Sequence, residues 1–364
     1  MLFRSEYESI KSCFDLNWIT EGPKSKEFVE KLLLLIGAKY GVLAPNGTLS
    51  IYLALRAIGI GPGDEVIVPN FTFIASANAV EMCGAKPVFA DIKEDLHIDI
   101  DKCSFLVNSK TRAIMPVHVY GMACNMDEIM NFAKKHNLLV VEDAAQAIGI
   151  KWNNKHAGTF GKVGSFSFFA DKTITTGEGG LVVTDDKDVY EKLLYLRNQG
   201  RIDRGSFVHP QIGYNFRMTD IQSAIGLSQL EKLNEIIEKK SIILKTYKKY
   251  LDKSIKIIEP PKQSNHIPFR VSIIIPGGSK DLMDFMSENN IETRTFFYPL
   301  HKQPCYQSWS TKLTEKIRKF LRLPDLFEVS NRMYNEGVCL PSFVSISEEQ
   351  IKYICEKINS YVRK

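Results

Sequence analysis

Short apolar runs bounded by glycine, proline and polar turn residues alternate with longer stretches of helical spacing through the first two thirds of the chain. That rhythm predicts α/β architecture around a large, mainly parallel sheet. The runs predict strands at Tyr40 to Ala44, Glu65 to Val68, Pro87 to Ala90, Ala113 to Val117, Leu138 to Glu142, Ser165 to Phe169 and Leu181 to Thr184. Helices are predicted between them, among them Leu49 to Ala57, Ile74 to Met82 and Asp127 to His136.

Beyond Asp220 the spacing predicts one long helix from Ile221 to about Tyr250, and Pro260-Pro261 closes the connection after it. Residues 1–250 are therefore expected to form a large domain that includes the connecting helix, and 251–364 a smaller α+β domain. The second part carries strand signals at Arg270 to Ile275 and Glu292 to Phe296, with helices at Lys280 to Glu288 and Glu348 to Tyr361. No internal repeat is visible.

Composition narrows the function classes. The 364 residues suffice for two cores, and 44% hydrophobic with 24% charged residues is ordinary globular usage. The net charge of +5 is spread among acids, as in Glu231 to Lys240, which favours solvated helix faces over a nucleic-acid surface. The most basic stretch, Lys312 to Arg322, is short and has little aromatic interleaving, which disfavours a nucleic-acid or membrane role. Seven scattered cysteines without a C-x-x-C pair argue against structural disulfides and a metal site. The N-terminus lacks a signal-peptide core, and the longest aliphatic run, Leu32 to Ile36, is too short to cross a bilayer, so a cytoplasmic protein is expected.

The candidate chemistry centres on Lys172, in Ala170-Asp171-Lys172-Thr173, and Asp143, in Glu142-Asp143-Ala144-Ala145-Gln146. A lysine amine condenses with an aldehyde, and a carboxylate keeps a pyridine nitrogen protonated so that the ring accepts electrons, a pairing that points to pyridoxal 5'-phosphate. Asp143 ends an apolar strand, where a carboxylate needs a cationic partner. Asn46-Gly47-Thr48 places a glycine between a strand and a helix, where backbone N–H groups can meet a phosphate, although a turn with Thr48 as N-cap explains the segment equally. Ser167 can reach the same phosphate or be satisfied by backbone. Phe73 can stack on a pyridine ring or fill the core. Gln146 suits the cofactor's phenolic oxygen or a capping role. His118 and His301 have no metal-ligand partner at useful spacing. A dehydrogenase would need Gly-x-Gly-x-x-Gly near Asn46, and none is there.

These segments, together with Gly61-Pro62-Gly63-Asp64, Pro116-Val117-His118-Val119-Tyr120-Gly121 and Gly213-Tyr214-Asn215-Phe216-Arg217-Met218, resemble the DegT/DnrJ/EryC1/StrS family of sugar-nucleotide aminotransferases over nearly the whole chain. The resemblance implies fold type I, the aspartate-aminotransferase type, in a homodimer with active sites shared between subunits. It implies Lys172 as the cofactor lysine, Asp143 against the pyridine nitrogen, Gln146 at the phenolic oxygen and Phe73 as the stacking ring. Gly47, Thr48 and Ser167 would hold the phosphate, and Asn215 would reach the partner's phosphate. Arg217 and His301 are weaker candidates for substrate contact.

Lysine at 172 also separates the chain from relatives with histidine there, which are sugar 3-dehydratases. Lys172 to Gly180, His209-Pro210 and Phe296 to His301 are most similar to members that aminate GDP-4-keto-6-deoxy-D-mannose with L-glutamate, giving GDP-perosamine and 2-oxoglutarate for surface polysaccharide such as O-antigen. The alternatives are a dTDP- or UDP-linked keto sugar and, from another class, a non-catalytic protein that keeps the fold. Two features depart from the family pattern. Met1-Leu2-Phe3-Arg4 stands where relatives carry a short strand ending in proline, so part of the substrate-side wall is expected to differ. Asp171 beside the lysine either acts on its neighbour's amine or faces solvent.

Overall fold

The structure, a computed structural model, describes residues 4–201, 207–307 and 325–363. The basic stretch Lys312 to Arg322 lies outside them. Strands β1 (Tyr40–Ala44), β2 (Glu65–Pro69), β3 (Lys86–Ala90), β4 (Thr111–Ile114) and β5 (Leu139–Asp143) are followed by the small hairpin β6 (Lys151–Trp152) and β7 (Lys155–His156), then β8 (Val163–Ser167) and β9 (Gly180–Thr184). Seven of them form one sheet in the order β1-β9-β8-β5-β4-β2-β3. The run from β8 to β3 is parallel, and β9 is antiparallel to both β8 and β1.

This sheet is buried on both faces, which is why its strands read as unbroken apolar runs. Alternation sends successive side chains to opposite sides. Leu43, Ile67, Ile114 and Val140 join one core, with the helix Pro23–Ile36, while Val42, Val68, Ala113 and Val141 join the other, with the helix Gly47–Ala57.

A second, antiparallel sheet follows, in the order β10-β11-β13-β12, built from β10 (Lys256–Ile257), β11 (Val271–Ile274), β12 (Arg294–Thr295) and β13 (Gly337–Leu340). Its own core joins Val271, Ile273 and Val338 to Ile351, Ile354 and Ile358 of the helix Glu348–Val362. The expected strand Glu292 to Phe296 is reduced to the pair Arg294–Thr295. The expected strand Ser165 to Phe169 runs instead from Val163 to Ser167, because the Phe168 N–H turns away to the Gly179 carbonyl.

The expected long helix is two helices, Asp220–Glu231 and Leu233–Tyr250, with Lys232 at φ −99°, ψ 4° between them. Each half has a different neighbour to satisfy. The first packs on the N-terminal helices, and a side chain at Gly226 would sit 2.5 Å from the Phe28 ring. The second lays Ile243 and Tyr247 on the small sheet's core. No helix among the described residues is long and apolar enough to cross a membrane.

Asp91, just past β3, ties the C-terminal part to the large sheet. It accepts the Val329 N–H at 3.1 Å, the Ser330 N–H at 2.9 Å and the Ser330 hydroxyl at 2.5 Å, and pairs with Lys102 at 2.7 Å. These bonds cap the helix Glu328–Glu336. Burial works against the charge, but the Lys102 and Ser330 hydrogen bonds outweigh it and hold the Asp91 carboxyl below its ordinary 3.8.

Asp91→Ala, which orphans these buried donors, is expected to cost about 3 kcal/mol, seen as a lower unfolding midpoint. Because the folded carboxyl titrates below 3.8, its contribution is complete above that pH and is lost as pH falls further. The stability gap between wild type and Asp91→Asn, measured by thermal melts across pH, should therefore close only in that acid range.

Candidate active site

Three strand ends build the site. β1, β5 and β8 point the same way, so the loop after Ala44, the residue Asp143 and the residue Ser167 emerge on one edge of the sheet, the side where open α/β sheets bind ligands. Ala44 and Ser167 both pair with Gly180 of β9, which sets the first and third ends level. Close approach is required here, since a Cβ on Gly180 would lie 2.5 Å from the Asn46 carbonyl oxygen.

Asn46 caps the helix Gly47–Ala57 by accepting the Leu49 N–H at 3.0 Å. The first-turn N–H groups of Gly47 and Thr48 are thereby left for an anion, at the positive end of the helix dipole. Ser50 fixes this helix start on β8 through Ser165 Oγ at 2.5 Å and the Phe166 carbonyl at 3.1 Å. Gly47 faces Ser167 so closely that a Cβ on it would sit 2.8 Å from the serine's own Cβ.

At the end of β5, two adjacent carboxylates point to opposite faces. Glu142 is sealed behind the sheet, accepting from the N–H groups of Gly158 (2.6 Å), Phe160 (2.6 Å) and Gly161 (2.7 Å), and from His118 Nε2 (3.0 Å). The Cys124 N–H donates to His118 Nδ1 at 3.1 Å, so the proton of this imidazole sits on Nε2. His118 is thus a packing group. Asp143, only 5% exposed, lines the cavity, with Oδ2 held by the Ser76 hydroxyl at 2.6 Å and Oδ1 by the Ala145 N–H at 3.1 Å.

The cavity between these ends has a volume of about 680 Å³. Gly47, Thr48, Phe73, Asp143, Gln146, Ser167 and Lys172 all line it. Phe73 is 60% exposed, which rules out a core role, and its ring lies 6.4 Å from that of Phe297. Gln146 accepts the Tyr120 N–H through Oε1 at 2.8 Å, which leaves its amide N–H groups as the donors.

Lys172 enters from the turn after β8, its N–H bonded to the Phe169 carbonyl at 3.0 Å. Burial pushes its amine below the ordinary 10.5; Asp171 and Asp143 oppose that shift and Arg270 adds to it. A lowered lysine is a more available nucleophile. Asp171 does not simply face solvent, for its Oδ2 is paired with Arg270 at 2.9 Å.

Three expected site residues are not brought to this cavity within one chain. Asn215 is exposed and bridges to Asn198. Arg217 donates to Asn198 Oδ1 at 2.7 Å. His301 is buried against Asn70, at 2.9 Å, and stacked on Phe327. Burial, then Lys302, pushes its imidazole down to about 4. Conversely, Ser76, Tyr120, Phe269 and Arg270 belong to the site and were not expected from the sequence. Ser76 stands four residues after Thr72 and hydrogen-bonds it, a helix-start spacing that was the available signal. Phe269 and Arg270 arrive from the segment just before β11 of the small sheet and leave no local trace.

An amine of lowered basicity, a buried carboxylate, a helix start open to an anion and an exposed aromatic ring converge on one cavity, and together they fit a phosphorylated pyridine aldehyde. Fold and site define a pyridoxal-phosphate-dependent aminotransferase of fold type I. The chain belongs to the DegT/DnrJ/EryC1/StrS aminotransferase family, whose sequence profile matches residues 3–359.

Among its relatives, the GDP-perosamine synthase of Escherichia coli O157:H7 is 41% identical over 360 residues, covering 98% of this chain and 95% of the relative. That of Vibrio cholerae is 38% identical over 366 residues, covering 98% and 96%. Among solved structures, DesV of S. venezuelae superposes with a TM-score of 0.89 at 27% identity, covering 99% of this chain and 94% of that one. Spr1654 of Streptococcus pneumoniae in its PLP form gives 0.91 at 24% identity, covering 100% and 97%, and supports the fold alone. The protein is a sugar-nucleotide aminotransferase that takes an amino donor and a keto sugar.

Gly47→Ala must displace Ser167 or the helix start. It is expected to weaken pyridoxal phosphate binding by about tenfold or more, ~1.4 kcal/mol, in a fluorescence titration of the cofactor-free protein.

Proposed function

We propose that the chain transfers the amino group of L-glutamate to C4 of GDP-4-keto-6-deoxy-D-mannose, yielding GDP-perosamine and 2-oxoglutarate for a surface polysaccharide such as O-antigen. The observation that carries this is the likeness to the GDP-perosamine synthases of E. coli O157:H7 and V. cholerae, which extends across both sheets and the cavity between them.

In this proposal pyridoxal phosphate, when bound, supplies an aldehyde that carries the amino group and a ring that accepts electrons. Lys172 Nζ would hold it and, once free, would move the proton taken from the donor's α-carbon. Asp143, fixed by Ser76, would present its carboxylate to the pyridine nitrogen, while Gln146 would donate to the phenolic oxygen and Phe73 would cover the ring. The N–H groups of Gly47 and Thr48, with the Ser167 hydroxyl, take the phosphate. Asn215, exposed in the single chain, would complete the phosphate site of the other subunit in a homodimer. Arg217 and His301, turned to protein partners here, would act on substrate only by supporting the segments that carry them.

A second reading keeps the chemistry and changes the sugar. A relative from Acidithiobacillus ferrooxidans, 34% identical over 89% of this chain, is named UDP-N-acetyl-3-dehydro-alpha-D-glucosamine 3-aminotransferase.

Incubation with L-glutamate and each nucleotide keto sugar, followed by mass spectrometry, should give an aminated GDP-sugar in preference to dTDP- or UDP-linked products. Preference for either of the latter rejects the substrate assignment and leaves the chemistry standing. Lys172→Ala is expected to lose turnover by about 10³-fold or more while keeping its fold. Near-normal turnover in that variant would remove Lys172 from the mechanism.

A further inference from the structure

Asp171 stands at the junction of two cavities, the one described above and a second of about 710 Å³ behind it, and Lys172, Phe269 and Arg270 line both. Its two carboxylate oxygens face different cations. Oδ2 is 2.9 Å from Arg270 Nη2, and Oδ1 is 3.9 Å from Lys172 Nζ. The same two cations share one aromatic ring, with Lys172 Nζ 4.8 Å and Arg270 Cζ 4.9 Å from the centroid of Phe269. Neighbouring side chains reach one place because the chain turns here instead of running as a strand.

We propose that Asp171, anchored by Arg270, is a positioning residue for Lys172, taking the lysine ammonium whenever the amine is free and holding the side chain against Phe269 within reach of the reacting carbon. The proposal rests on Lys172 being the cofactor lysine. At 3.9 Å the ammonium is not yet hydrogen-bonded to Oδ1, so a small side-chain rotation makes or breaks the contact. Arg270 does two things at once. It fixes the carboxylate, and its positive charge opposes the carboxylate's pull on the ammonium.

The charged groups around Lys172 are Asp171 on its own turn, Asp143 from β5 and Arg270 beside β11; Arg270 and Asp171 also act on Lys240, on the helix Leu233–Tyr250. Glu178 and Arg294 line the same cavity. Asp171 and Arg270 touch each other, Arg270 shares Phe269 with the lysine, and removing them has opposite electrostatic consequences. Without the carboxylate the charged lysine nitrogen is less favoured; without the guanidinium it is more favoured.

The test is a pH titration of the holoprotein's visible absorption band in wild type, Asp171→Asn, Arg270→Gln and Asp171→Glu. The midpoint should move to lower pH in Asp171→Asn, to higher pH in Arg270→Gln, and return toward wild type in Asp171→Glu. In the cofactor-free protein, acetylation of Lys172 by acetic anhydride at one fixed pH, read by peptide mass spectrometry, should rise about twofold or more in Asp171→Asn and fall in Arg270→Gln. Shifts of the same sign, or none, overturn the proposal, because they show that the pair does not act on the lysine nitrogen. A band that still titrates in Lys172→Ala overturns the underlying assignment of Lys172 instead.

Discussion

The hydrogen bonds accepted by Glu142 behind the sheet are the constraint on which the site depends. A carboxylate in a sheet core is several kcal/mol out of balance unless its lone pairs are filled. Glu142 fills them with three backbone N–H groups from the turn before β8 and with His118 from the segment after β4. One side chain thereby fixes both neighbours of β5. Since successive residues of a strand face opposite ways, anchoring Glu142 on one face aims Asp143 into the cavity on the other. The chemistry of the front face is located by the packing of the back.

The electrostatics in front follow a similar economy. The two adjoining cavities combine cations and anions that burial would make costly if any stood alone: Lys172 near Asp143 and Asp171, Asp171 paired with Arg270, and Lys240 bonded to the Pro268 carbonyl at 3.2 Å, its amine pushed down to about 8 chiefly by burial. A site arranged in this way holds a lysine that gains and loses a proton with little rearrangement.

How much of this was legible in the sequence depends on where the determining contact lies. Strands β1 to β5, β8 and β9 were legible because a sheet covered on both faces demands apolar runs, whereas the helix expected from Leu49 behind a capping threonine starts at Gly47 with Asn46 as its cap. Gly47, Asp143, Ser167 and Lys172 were legible because each stands at a strand end or turn, where chemistry-bearing residues have little structural reason to be. The partners of His301 and Arg217 were not legible. Each is a polar side chain whose partner, Asn70 or Asn198, is distant or unremarkable in the sequence, and only the fold shows the contact. The break at Lys232 was hidden because apolar spacing continues across it while the surface it packs on changes. Arg270 was invisible because its partner, Asp171, is 99 positions away.

The most direct test of the account is borohydride reduction of the holoprotein followed by peptide mapping. The account predicts a cofactor-bearing peptide with the modification on Lys172 and on no other lysine. Modification of a different lysine, or none in a protein that holds pyridoxal phosphate, would contradict it.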